Sequence, residues 1–119
     1  MADISLLGAS APSCLSAQTA ALICRSKRTL AFRRAYQTLP PEPQQWMRRA
    51  YRRLFRRDPF HPALCGAMVR DQSARRIAYR IPIAATGYRA LASVVYADSA
   101  ILFTWYWLGD HDAYERRLP

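Results

Sequence analysis

The sequence is short of the residue types from which metal and redox sites are built. Its three cysteines, Cys14, Cys24 and Cys65, form no CxxC pair, and only His61 and His111 are available to join them as ligands. That inventory argues against a disulfide framework and a zinc site, and no metal or cofactor is expected. Lysine is nearly missing, with Lys27 alone beside seventeen arginines. Acidic residues are scarce as well, eight Asp and Glu against eighteen Lys and Arg, which leaves a formal net charge of +10. Residues 1–10 carry no basic cluster ahead of their apolar side chains, so a secretory signal is not expected. The only stretch long enough to suggest a membrane span, residues 90–109, has Asp98 and Ser99 in its middle and many ring and β-branched side chains. It reads as two strands and a turn, and the expectation is a soluble cytoplasmic protein.

Against those absences stand 119 residues of which 51% are hydrophobic and 12% aromatic, enough for one domain with a core of its own. Neither a wholly disordered polybasic tail nor a large multi-domain enzyme is expected from this length and composition. The arginine fork suits bidentate contact with phosphate or carboxylate and stacks on flat rings, although a genomic preference for arginine codons explains the excess over lysine equally well. Whatever its origin, the positive charge favours polyanionic partners: nucleic acid, an acidic protein or anionic lipid.

The charge is concentrated. Residues 1–26 sum to zero and show no sustained period; they are read as a poorly ordered extension, with a short helix conceivable over 17–24. Residues 27–64 carry a net +8 and residues 65–119 a net +2. Phe32, Ala35, Tyr36 and Leu39 are spaced as one helix face, and Pro40, Pro41 and Pro43 then interrupt the chain. A second helix is predicted over 44–57, with Trp46, Met47, Ala50, Tyr51, Leu54 and Phe55 on its apolar side and Arg48, Arg49, Arg52, Arg53, Arg56 and Arg57 on the other. Asp58-Pro59 stops it.

After residues 60–66 the period falls to two. Ile77, Tyr79 and Ile81 alternate with Arg76, Ala78 and Arg80; a turn over 82–87 leads to a strand over 88–97, and Asp98-Ser99 leads to another over 101–108, which Gly109 is expected to break. Residues 112–118 allow a turn or two of helix. The predicted fold is α+β: an N-terminal helical hairpin laid across one side of a small antiparallel meander, with a short C-terminal helix, in a domain spanning 27–119.

Several segments, in order, carry a resemblance: Ala35-Tyr36-Gln37-Thr38-Leu39-Pro40, Asp58-Pro59-Phe60-His61-Pro62-Ala63-Leu64, Gly87-Tyr88-Arg89-Ala90-Leu91-Ala92, and the run from Trp105 through Gly109-Asp110-His111-Asp112-Ala113-Tyr114 to Arg116. Together, over about residues 29–118, they resemble the RelE/ParE superfamily of toxins from bacterial type II toxin–antitoxin modules, in the branch with a YRAL strand and a W-x-G-x-H-x-x-Y ending. The resemblance implies a cognate antitoxin as partner, expected to be small and acidic. In RelE-like members it also implies the ribosome and mRNA as partners, with metal-independent cleavage of messenger in the ribosomal A site. In ParE-like members it implies inhibition of DNA gyrase without cleavage, and a basic nucleic-acid binder without nuclease activity is a further alternative. Two departures bear on the presumed active surface: relatives usually carry lysines after the HP-x-L segment, whereas residues 65–70 offer only Arg70, and the turn over 81–87 reads as longer than expected.

Cleavage at a 2′-hydroxyl needs proton transfer and positive charge on the phosphorane. His111 and Tyr114, three residues apart and so able to share a helix face, are the candidates for the first, Arg80 and Arg89 for the second. The alternatives are a capping or packing role for His111, a sheet-edge cover for Tyr114, and a solvated or antitoxin-facing surface for the two arginines. RNA contact is expected from Arg48, Arg49, Arg52, Arg53, Arg56, Arg70 and Arg76, which contribute affinity and salt dependence rather than chemistry. His61 and the rings of Phe103, Trp105 and Trp107 are expected to be structural.

Overall fold

The computed structural model describes residues 23–118. Five strands and three helices follow one another in the order β1 (Ile23–Arg28), α1 (Leu30–Thr38), α2 (Pro41–Ala50), β2 (Ala67–Asp71), β3 (Arg76–Ile83), β4 (Tyr88–Ala97), β5 (Ala100–Asp110) and α3 (His111–Glu115). The strands form one sheet in the order β1-β5-β4-β3-β2. The expected meander is its β3-β4-β5 centre. The sheet as a whole is mixed rather than antiparallel, because β1 adds to β5 in parallel register, from Ile23 opposite Ala100 to Arg28 opposite Trp105. Ile23–Ser26, assigned to the extension on sequence, therefore lie in a strand; the rest of the conceivable helix over 17–24 falls outside the described residues.

Local chemistry sets the helix ends. Thr29 caps α1 by accepting the Phe32 amide at 3.1 Å, and the Leu39-Pro40-Pro41 step ends it. Helix α2 opens at Pro41, three residues before the expected start, since prolines are preorganised for a first turn where no amide partner is needed. It closes in a π turn, Tyr51–Phe55, which swings Phe55 inward. There Phe55 meets Phe103 at 4.8 Å and Trp105 at 5.5 Å between ring centroids, while Phe32 meets Trp105 at 6.2 Å. These rings, with Leu64, Tyr79, Ile81, Ile83 and Ile101, make the main core between the helices and one sheet face. Alternation would put all three rings of β5 on one face; Phe103 and Trp105 do lie in this core, but a register shift between Leu91 and Ala92 turns Trp107 to the opposite face.

Two strand boundaries differ from the sequence reading for physical reasons. Strand β3 runs through Pro82 to Ile83, because β2 pairs no further than Arg80 and a proline on the resulting free edge costs no ladder bond. The turn is correspondingly short, with Ala84 and Gly87 at positive φ. Strand β5 passes through Gly109 instead of breaking there. A Cβ at that position would come within 2.5 Å of the Trp107 ring, so the glycine is what lets the indole lie along the strand.

Candidate functional site on the sheet face opposite the helices

Strand alternation separates the arginines. In the β3–β4 register Arg80 faces Leu91 and Pro82 faces Arg89, so Arg80 and Arg89 are diagonal neighbours on one face, the one away from α1 and α2. Leu91 and Arg89 in turn face Trp107 and Gly109 on β5, and Arg76 shares the same side of β3. Helix α3 then folds back over this face. Tyr114 is 3% exposed and packs with Ala78 and Leu91, with Trp107, Tyr106 and Leu118 beside them.

Of the expected four, Arg80, Arg89 and Tyr114 lie on this face, whereas His111 stands at its border on the solvent side of α3. The Arg89 guanidinium lies 6.0 Å from the Tyr114 ring centroid, and its Nη1 donates to the Tyr88 carbonyl at 3.0 Å. His111 opens α3 on the solvent side, with its side chain 53% exposed and Nε2 3.8 Å from Glu115 Oε2. Asp110 caps the helix by accepting the Ala113 amide at 2.8 Å. His111 and Tyr114, three residues apart, do not share a face: one side chain faces water and the other is the buried anchor of the helix. Two polar atoms under this cover, Arg80 Nε and the Tyr114 hydroxyl, are buried without a hydrogen-bond partner.

Sequence reasoning missed a second group on the same face. Asp71, at the end of β2, is 0% exposed and the only buried charged residue among those described. It accepts from the Tyr106 hydroxyl at 2.6 Å, from Arg117 Nε and Nη2 at 3.2 and 3.0 Å, and from the Ser73 and Ala74 amides at 3.1 and 3.4 Å. Burial pushes its carboxyl pKa up, but the bonds from Arg117 and Tyr106 outweigh that and hold it below the ordinary carboxylate value. Tyr106 is displaced in the opposite direction, above the usual phenol range, first by burial and then by its bond to Asp71. Arg117 also stacks 5.0 Å from the Trp107 ring and Arg76 4.8 Å from the Tyr106 ring. An aspartate two residues before a Ser-Ala turn carries no signal that it will meet an arginine 46 positions later.

The remaining expected RNA contacts lie elsewhere. Arg48, Arg49, Arg52, Arg53 and Arg56 are exposed on α2 and its π turn, across the sheet from Arg80 and Arg89, and alternation puts the exposed Arg70 on the helical face too. On that side a cleft of about 390 Å³ opens between the helices and the sheet, floored by Phe32, Phe55, Ile81 and Trp105 and rimmed by Arg28, Arg48 and Arg52. Arg48 Nη1 donates to the Tyr36 hydroxyl at 2.9 Å on this rim. His61 is structural: its Nδ1 accepts the Ala63 amide at 3.0 Å and caps a single 3₁₀ turn, Pro62–Leu64. No three of His, Cys, Asp and Glu stand close enough among the described residues to hold a metal ion, and no helix there is long and apolar enough to cross a membrane.

The arrangement defines an α+β protein with helices on one face of a mixed five-stranded sheet and a C-terminal helix closing an arginine-bearing opposite face. This fold is similar to that of a chain in the archaeal RelE–RelB complex from Pyrococcus horikoshii OT3, with a TM-score of 0.56 and 19% identity over 76% of this chain and 97% of that one. No family model and no curated protein matches the sequence. The likeness is one of fold.

Proposed function

We propose that this protein is the toxin of a type II toxin–antitoxin pair, acting as a metal-independent endoribonuclease on messenger RNA at the ribosome. The observation that carries the reading is the pairing of Arg80 and Arg89 on one sheet face of a RelE-like fold, with His111 at the start of the helix that partly covers it. In this reading the two guanidiniums hold the scissile phosphodiester and stabilise the extra charge of the phosphorane. His111 takes the 2′-hydroxyl proton as that oxygen attacks phosphorus, then returns it to the departing 5′-oxygen, leaving a 2′,3′-cyclic phosphate and a 5′-hydroxyl. Tyr114, with its hydroxyl buried, serves as the anchor that fixes the helix rather than as a proton donor.

The arginine-rich helical side supplies affinity for ribosomal RNA, while the apolar cleft with its rim of Arg28, Arg48 and Arg52 suits an amphipathic acidic segment of an antitoxin. The burial of Tyr114 also favours a second reading, a binding-only inhibitor of gyrase or another basic nucleic-acid-binding role, in which the same face makes contacts without chemistry. Induction in a bacterial host tests the first. Wild-type protein is expected to arrest growth, and Arg89→Ala and His111→Ala to relieve the arrest. Undiminished arrest in both variants removes these residues from the mechanism, and a harmless wild type removes the toxin.

A further inference from the structure

Helix α3 has five residues, too few to persist alone in water, so its place on the sheet depends on what ties it down. One tie is Tyr114. The other lies beyond the helix, at Arg117, and reaches across the sheet. Helix α3 leaves from β5, whereas Asp71 ends β2, and β4 and β3 lie between those two strands. Arg117 reaches Asp71 with a two-pronged ion pair, and its carbonyl accepts the Gln72 amide at 2.8 Å, so both its side chain and its backbone are held by the same turn. The Tyr106 hydroxyl fills the other side of the carboxylate and Trp107 backs the guanidinium. A buried carboxylate with five donors is a fixed point, because releasing it leaves either Asp71 or Arg117 desolvated and unpaired.

We propose that Asp71 and Arg117 are positioning residues: the latch they form sets the location of α3, and through it the place of the His111 imidazole relative to Arg89. The proposal rests on the ribonuclease reading for its catalytic half, but the latch itself is a statement about α3 that does not depend on any activity. Arg117 is remote from His111 by six residues and engaged on Asp71, so it acts through the helix and not on the phosphate. Tyr106 supports it by fixing the carboxylate.

Two measurements on the full chain test this. Amide hydrogen exchange reads the latch directly: in Arg117→Ala the Gln72, Ala113 and Arg116 amides should exchange at least about tenfold faster, while Leu91 in the sheet keeps its protection. Arg117→Lys, which restores charge but not the fork, should fall between. Exchange at α3 unchanged in Arg117→Ala overturns the latch. Asp71→Asn should match Arg117→Ala; if it fails to fold, the Arg117 pair of variants decides alone. Cleavage of ribosome-bound messenger reads the positioning: Arg117→Ala should lower kcat about tenfold or more with KM within about twofold, and should cost less than about twofold further when His111→Ala is already present. Losses that multiply in the double variant overturn action through His111. A wild type that cleaves nothing while exchange responds as expected overturns the ribonuclease reading and the catalytic half of the proposal, and leaves the latch standing.

Discussion

Removing three guanidiniums from the helical side, Arg52→Gln, Arg53→Gln and Arg56→Gln together, tests whether that side tracks a phosphate backbone. All three side chains are exposed, and among the described residues no carboxylate lies within ion-pair distance of them, so the fold should tolerate the change. Arg48 is left in place because its guanidinium is committed to Tyr36. Each phosphate contact on a single strand contributes about 0.7 to the slope of log affinity against log salt, so three lost contacts should flatten that slope by about 2. Between 50 and 200 mM salt, wild-type protein should consequently lose about 15-fold more affinity than the triple variant. Fluorescence anisotropy with a labelled single-stranded RNA, titrated across that range, measures both slopes. Equal slopes with an intact fold refute phosphate contact by these arginines and leave them to a protein partner or to solvent.

Two further outcomes follow from packing and charge. Phe55→Ala should cost about 3–5 kcal/mol, because it empties the space where the π turn meets Phe103 and Trp105 and removes a ring that packs on both; urea unfolding measures it, and a loss under about 1 kcal/mol contradicts that core. The depressed pKa of Asp71 means the native state holds its proton less tightly than the unfolded chain, whose carboxyl titrates at about 3.9. Its contribution is therefore present above about pH 4 and lost as pH falls through the lower folded value. Thermal unfolding of wild type should weaken more steeply over that acid window than that of Arg117→Ala, and parallel curves contradict the ion pair.

Much of the helical side was legible in the sequence because apolar spacing and proline punctuation are local signals. Phe32, Leu39 and Phe55 are buried where their spacing puts them, and Arg80 and Arg89 share a face as strand alternation requires. The two edge strands were not legible. Ile23–Arg28 points Cys24, Ser26 and Arg28 toward the helical side, where Ser26 accepts the Trp105 indole N–H at 3.0 Å, so its inward face has no apolar period to read. Strand β2 is only five residues long, and Met68 and Arg70 on its helical side are exposed. Parallel pairing of β1 with β5, like the reach of Arg117 to Asp71, joins positions far apart in the chain, and no residue type announces it. The spacing of His111 and Tyr114 suggested a shared face, but burial of the phenol ring against Ala78 and Leu91 turned the pair to opposite sides of the helix.

Whether this sheet face cuts RNA is read most directly at the ribosome. Purified protein added to translating ribosomes, with messenger 5′ ends mapped, is expected to give new ends within A-site codons for the wild type. The same ends should fall by about 100-fold or more in Arg89→Ala, the scale of losing a group that stabilises transition-state charge, and to a comparable degree in His111→Ala. Wild-type protein that binds ribosomes without producing new ends, or variants that cut at the wild-type rate, would contradict the assignment of Arg80, Arg89 and His111 as a ribonuclease site.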